Sequence, residues 1–233
     1  MQLEILAALN EARRQRRAVA LVTPLDGGAQ RLAFAAESGD ALGEAIDAAL
    51  RAGKSALVES AGKSYFLTIS VPPVRLIMIG AVHISQALAP MAKLAGLDGL
   101  IIDPRTAFAS PARFPDTPIL AQWPDEALRA QPLDRYSAIC LLTHDPKIDD
   151  IALKLALSAD CFYIGALGSR KTHARRVERM KAAGFDDAAM ARIHAPIGLD
   201  IGAVSPAEIA TSTLAEIIAS LRKKPLRGEG LPA

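Results

Sequence analysis

The sequence predicts an α/β protein, with a Rossmann-like doubly wound parallel sheet preceded by a small α+β domain. From residue 76 onward, short apolar runs alternate with helical patterns, as in parallel sheets with right-handed crossovers. Leu76–Ala89 opens this region with an apolar strand, a glycine and a helical pattern, which is how such a sheet begins. Just before it, the two prolines in Ser70–Pro73 interrupt any ladder and indicate a domain boundary.

The composition is that of a globular protein with a large aliphatic core. Of 233 residues, 51% are hydrophobic but only 4% are aromatic. The net charge of +2 gives no support to nucleic-acid binding. Cys140 and Cys161 lie in apolar segments without paired spacing, which indicates core thiols in a reducing compartment. No apolar run reaches the roughly 20 residues that span a bilayer, so we expect a cytoplasmic protein.

The first domain is expected to cover residues 1–71. Leu3–Arg17 has the apolar spacing of an amphipathic helix with cations near its end. Ala18–Thr23 and Arg31–Ala35 flank a turn that contains two glycines, which predicts a β-hairpin. The remaining predicted elements are one helix and two strands: Ala41–Arg51, Ser55–Glu59 and Tyr65–Val71.

The second domain is expected to cover residues 72–233, with five parallel strands in the order 3-2-1-4-5. The predicted strands are Leu76–Gly80, Leu97–Asp103, Thr117–Ala121, Ser137–Thr143 and Asp160–Gly165. The predicted helices are His83–Ala95, Asp125–Ala130, Lys147–Ser158 and Ser169–Ala183. Ile193–Ala203 is expected to be irregular or briefly extended, and a capping box at Ser205–Glu208 predicts a last helix to about Arg222, with a frayed end from Lys223.

Ligands of such sheets bind beyond the carboxyl ends of the strands, where the strand order reverses. The first loop there begins with Gly80, but Val82 stands where a dinucleotide fingerprint has its second glycine. Close binding of a pyrophosphate, and therefore of NAD(P), is accordingly disfavoured. His83 follows in the same loop and is a candidate contact.

Two further loops carry candidate ligand contacts. Asp103 ends the second strand at the place of a ribose-binding acid, and Arg105 suits a phosphate or carboxylate. In the loop after strand four, Thr143 and His144 are candidate contacts, whereas Asp145 before a proline is explained by helix capping. A metal between His83 and His144 stays open, because the sequence offers no obvious third ligand.

The loop after strand five is the most informative. Gly165 and Gly168 allow close backbone approach, and Ser169 can cap the helix that follows. Arg170 and Lys171 place cations in the first helical turn, against the preference of the helix dipole. This arrangement predicts an anion-binding helix start.

These segments together resemble the XdhC/CoxI family, whose members are accessory proteins for molybdenum hydroxylases. The resemblance covers roughly Leu76–Leu221. The matching motifs are Ile79-Gly80-Ala81-x-His83, Asp103-Pro104-Arg105, Arg113-Phe114-Pro115, Thr143-His144-Asp145-Pro146 with Asp149, Tyr163-Ile164-Gly165-x-x-Gly168-Ser169-Arg170, Pro196-Ile197-Gly198-Leu199-x-Ile201-Gly202-Ala203 and Pro206-x-Glu208-Ile209-Ala210.

The resemblance implies a non-catalytic chaperone that binds molybdenum cofactor of the molybdopterin type as cargo. It also implies that the protein assists sulfuration through a cysteine desulfurase and inserts the cofactor into a molybdenum hydroxylase apoenzyme. A homodimer and an enzymatic activity both stay open. The residues alone leave two alternatives open. One is an NAD(P)-dependent oxidoreductase or nucleotide-binding protein that uses the same cleft, and the other is a protein-interaction module whose cleft is vestigial. The expected cofactor contacts are Gly80, His83, Asp103, Arg105, Thr143, His144, Asp145, Gly165, Gly168, Ser169 and Arg170.

Overall fold

A computed structural model describes residues 2–35 and 41–223. The chain divides into two compact units, with the boundary between Pro72 and Pro73. None of the helices in the described ranges is both long enough and apolar enough to cross a membrane.

The first unit is built on a four-stranded antiparallel sheet in the order β2 (Arg31–Ala33), β1 (Val19–Pro24), β4 (Lys63–Ser70) and β3 (Ala56–Ser60). Because side chains alternate between the faces of a strand, Ala20 and Val22 pack with Ile46 of one helix, whereas Val19 packs with Leu9 of the other. The predicted hairpin and both predicted helices are confirmed. The elements are α1 Leu3–Arg14, β1 Val19–Pro24, β2 Arg31–Ala33, α2 Ala41–Ala52, β3 Ala56–Ser60 and β4 Lys63–Ser70.

The second unit is a six-stranded parallel sheet in the order β10-β9-β8-β5-β6-β7. Its strands are β5 Arg75–Ile79, β6 Asp98–Ile102, β7 Ile119–Leu120, β8 Ser137–Leu141, β9 Tyr163–Ala166 and β10 Ile193–His194. Its helices are α3 His83–Leu94, α4 Pro124–Ala130, α5 Pro146–Ser158, α6 Arg170–Ala182, α7 Asp187–Met190 and α8 Pro206–Lys223, with a 3-10 helix at Pro111–Arg113.

Both faces of this sheet are covered, which explains the continuous apolar runs in its strands. Ile77 and Ile79 belong to the cluster that includes α5, whereas Leu76 and Met78 belong to the cluster with α3 and α8. The predicted order of the first five strands is confirmed. The expectation for the segment after α7 was incomplete, because Ile193–His194 pairs in parallel with β9 as a sixth strand.

Candidate functional site

The loop after β5 is shaped by Gly80. This residue has a φ of +117°, and a Cβ added there would lie 2.9 Å from Thr143 Cγ2. Glycine is therefore required both for its conformation and for the close approach of the loop after β8. Val82 occupies the N-cap of α3 and makes no side-chain cap.

Asp103 is fully buried and holds the loops around it together. Its Oδ2 accepts the Ala81 N–H at 2.8 Å and Arg105 Nη2 at 2.7 Å. Its Oδ1 accepts the backbone N–H and the Nε of Arg105 at 2.9 and 2.8 Å. Burial by itself would raise the pKa of Asp103, but the hydrogen bonds from Arg105 and Ala81 lower it below its usual value. A ligand hydroxyl that contacts this carboxylate must therefore compete with donors from the protein.

The loop after β8 joins the sheet to the start of α5. Asp145 caps α5, as expected, because its Oδ1 accepts the Lys147 N–H at 2.9 Å. Thr143 Oγ1 donates to Asp149 Oδ1 at 2.7 Å. His144 is exposed and has a φ of +61°. A positive φ is uncommon for histidine, and such conformations are concentrated at functional sites.

The loop after β9 contains the predicted anion-binding helix start. Gly168 has a φ of +128°, and Ser169 Oγ accepts the Thr172 N–H at 3.2 Å, which is the predicted cap. The first N–H groups of a helix have no acceptor within the helix. Within the described part of the chain, the exposed side chain of Arg170 forms no hydrogen bond or ion pair. An anion can therefore bind here without displacing a contact.

Gly165 allows a later segment to close over the sheet. A Cβ at this position would lie 2.7 Å from Ile197 Cδ1 and 2.7 Å from Tyr163 Cε1. The absence of a side chain therefore lets Ile197 pack directly onto β9. The segment from Pro196 to Ala203 then faces the start of α6, and the two enclose a cavity of about 470 Å³ whose lining includes Leu167 and Arg170.

Glu216 of α8 fixes this segment. Its Oε2 accepts the Tyr163 hydroxyl at 2.6 Å and the Gly198 N–H at 2.9 Å. Its Oε1 lies 2.9 Å from Nδ1 of His194. One carboxylate therefore connects β9, β10 and the segment that lines the cavity. The sequence carried no signal for this network, because Glu216 lies 53 residues from Tyr163.

Asp149 and Arg176 are two buried ionisable side chains that were not predicted as site residues. Asp149 is 2% exposed and Arg176 is 3% exposed. Burial raises the pKa of Asp149 to about 6, although the hydrogen bonds from Thr143 and the charge of Arg176 oppose the shift. Helical spacing is a signal that would have revealed Asp149, because it lies three and four residues before the buried Ala152 and Leu153.

Asp149→Asn is expected to stabilise the protein at neutral pH by about 1–3 kcal/mol, because the amide removes a buried charge. The folded-state pKa lies above that of the unfolded chain, so the wild-type protein loses stability as the pH rises from about 4 to about 6. The gain in the variant should grow over the same interval and stay constant above it. Urea denaturation at several pH values measures this difference.

The neighbouring residue, Asp150, supplies a control in which the same substitution should change stability in the opposite direction. Asp150 accepts Arg179 Nε at 2.5 Å and Nη2 at 2.9 Å, so Asp150→Asn should lose stability at neutral pH. A variant Asp149→Asn that is no more stable than the wild type at pH 8 would contradict the prediction.

The structure brings together only part of the predicted site. Arg170 lines the cavity beside the segment 196–203, and His144 lines a second cavity between α5 and α6. The other nine predicted residues line neither of these two cavities: Gly80, His83, Asp103, Arg105, Thr143, Asp145, Gly165, Gly168 and Ser169. Within residues 2–35 and 41–223, no three His, Cys, Asp or Glu side chains are grouped so that they could hold a metal ion.

Known proteins with similar sequences match about two thirds of the chain. Three curated relatives are the uncharacterized protein YqeB of Escherichia coli K12, a probable xanthine dehydrogenase subunit of Bacillus subtilis 168 and the molybdenum cofactor insertion chaperone PaoD of E. coli K12. They are 31%, 30% and 34% identical over 66%, 65% and 65% of this chain. The chain spans less than half of their lengths, because the matches cover 29%, 44% and 41% of them.

A solved structure and a family model agree with this relationship. The crystal structure of a xanthine dehydrogenase from Bacillus halodurans matches with a TM-score of 0.67 at 22% identity, over 94% of this chain and 67% of the other, which shows a shared fold. The family model of the XdhC Rossmann domain matches residues 76–217, which is more than half of the chain. This protein therefore belongs to the XdhC family.

Proposed function

We propose that this protein is a non-catalytic accessory factor that binds a molybdopterin-type cofactor and assists its insertion into a molybdenum hydroxylase. The observation that carries the proposal is the cavity that Arg170 and the segment 196–203 enclose at the carboxyl ends of the strands. Membership of the XdhC family and similarity to a chaperone named for molybdenum cofactor insertion support it.

The residues of this cavity fit the chemistry of such a cargo. A molybdopterin carries a phosphate, which the start of α6 and the guanidinium of Arg170 can bind. The pterin is a flat heterocycle, and the apolar side chains of Leu199 and Ile201 offer it a surface. Asp200 also lines the cavity, and its carboxylate can accept hydrogen bonds from the N–H groups of the ring.

The same region suggests where the receiving enzyme would dock. Leu199, Ile201 and Val204 are large apolar residues that are 43%, 56% and 85% exposed. Exposed apolar groups beside a ligand cavity are typical of interaction surfaces, and we propose that the apoenzyme of the molybdenum hydroxylase covers them during transfer. A cysteine desulfurase that supplies sulfur to the bound cofactor is the second proposed partner.

Arg170→Ala is expected to lower cofactor loading about tenfold, which corresponds to the loss of one charge-assisted hydrogen bond. The protein would be purified from cells that make molybdenum cofactor. Released pterin would then be measured by fluorescence and molybdenum by elemental analysis. The matched control is Arg129→Ala, which removes an exposed arginine of α4 that is 75% accessible.

Equal loading of Arg170→Ala and the wild type would remove the main support for the proposal. Micromolar binding of NADH in a fluorescence titration would instead favour a nucleotide-dependent function. The geometry around Gly80 speaks against that outcome, because the Ala81 N–H already donates to Asp103.

A further inference from the structure

A second cavity, of about 150 Å³, lies between the first turn of α5 and residues 172–179 of α6. His144, Thr172 and Arg175 are among the residues that line it, and none of its lining residues lines the cavity beside Arg170. It therefore offers a separate site, beneath the loops that follow β8 and β9.

Two buried side chains among the lining residues, Asp149 and Arg176, have polar atoms without a hydrogen-bond partner. Arg176 donates from Nη2 to the Leu167 carbonyl at 2.8 Å, but its Nε and Nη1 have no partner. Asp149 accepts from Thr143 with Oδ1, but its Oδ2 has no partner. Buried polar groups are nearly always hydrogen-bonded. These three unsatisfied atoms therefore indicate a ligand. If Asp149 is ionised, the ligand must both accept and donate hydrogen bonds; if Asp149 is protonated, a ligand that only accepts hydrogen bonds is sufficient.

The charges around the cavity favour an anion. Arg179 is neutralised by Asp150, which accepts two of its N–H groups. Arg175 is exposed and forms no ion pair within the described residues. The carboxylates that act electrostatically on Arg176 are Asp149 and, after it, Asp150. Burial raises the pKa of Asp149 to about 6. When Asp149 takes up a proton, the wall of the cavity carries an excess of positive charge.

We infer that this cavity binds a small tetrahedral oxyanion, a sulfate-like or phosphate-like dianion, which Arg176 and a protonated Asp149 hold by direct hydrogen bonds. Arginine side chains bind such anions with charge-assisted hydrogen bonds. A cavity of about 150 Å³ has room for a tetrahedral ion. Binding is coupled to the uptake of a proton by Asp149, because an ionised carboxylate would repel the ligand.

Other groups around the cavity could also contribute to a pH dependence. His173, on α6, has a lowered pKa, caused by burial and then by the charge of Arg176. The titratable and charged side chains that face or adjoin the site are His144, Asp149, Asp150, His173, Arg175, Arg176 and Arg179.

Isothermal titration calorimetry with sulfate tests the inference. Sulfate remains a dianion between about pH 5 and pH 8, so a change in affinity reports protonation of the protein. The affinity of the wild type is expected to fall about tenfold between pH 5.5 and pH 7.5. Arg176→Gln should lower the affinity at pH 5.5 by about tenfold or more.

Three further variants separate the alternatives. Asp149→Asn should bind sulfate with the same affinity at every pH, because its amide N–H donates a hydrogen bond without the uptake of a proton. This variant tests the inference even if Arg176→Gln does not fold. His144→Gln should keep the dependence of the wild type. The inference is overturned if folded Arg176→Gln binds like the wild type, if no sulfate binds, or if His144→Gln abolishes the pH dependence. Loss of sulfate binding in Arg170→Ala would place the ion in the other cavity and also overturn it.

Discussion

Glu216→Ala is expected to destabilise the protein by about 3 kcal/mol and to release the segment 196–203 from the sheet. The substitution removes the acceptor for the Tyr163 hydroxyl and the Gly198 N–H, and the partner of His194. Tyr163 is 1% exposed, so its hydroxyl would be buried without a hydrogen bond. A buried donor without an acceptor costs about 1–3 kcal/mol.

Hydrogen exchange and urea denaturation measure the two parts of this prediction. The amides of residues 197–203 should lose protection, while those of β5 and β8 keep theirs. Glu216→Gln should have an intermediate effect, because the amide retains one acceptor. Glu126→Ala, which removes an exposed glutamate of α4, is the matched control. Unchanged protection of the segment in Glu216→Ala would contradict the prediction, and would mean that the packing of Ile197 and the hydrogen bond from the Leu199 N–H to the Ser212 carbonyl are sufficient to hold it.

Comparison of Glu216→Ala with Arg170→Ala also distinguishes a residue that positions the wall of the cofactor cavity from one that binds the cofactor directly. Arg170→Ala should lower cofactor loading while the segment 196–203 keeps its protection against exchange. Glu216→Ala should lower loading together with that protection, because Glu216 acts on the cavity only through Gly198 and its neighbours.

Asp103→Ala is expected to destabilise the protein by about 2–4 kcal/mol, because it leaves the Ala81 N–H and the Arg105 guanidinium without their acceptor. Breaking a fully buried ion pair can destabilise a protein by up to about 5 kcal/mol. A smaller loss is expected here, because the side chain of Arg105 is 33% exposed and water can replace part of the interaction. The substitution should also loosen the loop that starts at Gly80.

The effect of Asp103→Ala should depend on pH. The pKa of Asp103 is lowered in the folded protein, so its stabilisation is complete above the unfolded value of about 4 and is lost as the pH falls through the folded value. Thermal denaturation at pH 7 and pH 3 should therefore show a large difference from the wild type at pH 7 and a smaller one at pH 3. An equal difference at both values would contradict the prediction. Asp116→Ala removes an exposed aspartate and should change stability by less than about 0.5 kcal/mol.

Much of the fold was predictable because it depends on local patterns. Apolar runs identified β5, β6, β8 and β9, since a strand buried on both faces needs apolar residues at every position. Ser169 and Asp145 were recognised as caps, because a cap acts within three residues of its own position. β10 was anticipated only as part of an irregular or briefly extended segment, because two residues contain too little periodicity to distinguish a strand from a loop.

The candidate site was predictable only where the residues that act together are neighbours in a single loop. Sequence alone determined the Rossmann-like order of the first five strands, the need for glycine at Gly80 and Gly168, and the cationic helix start at Arg170, because each depends on neighbours along the chain. Only the tertiary structure decided that Asp103 binds the Ala81 N–H, that Glu216 fixes the segment 196–203, and that the buried side chains of Asp149 and Arg176 line the same cavity. Those arrangements bring together residues that are distant in sequence. Burial, which no single segment specifies, shifts the pKa values of the carboxylates and sets the free-energy cost of leaving them without partners.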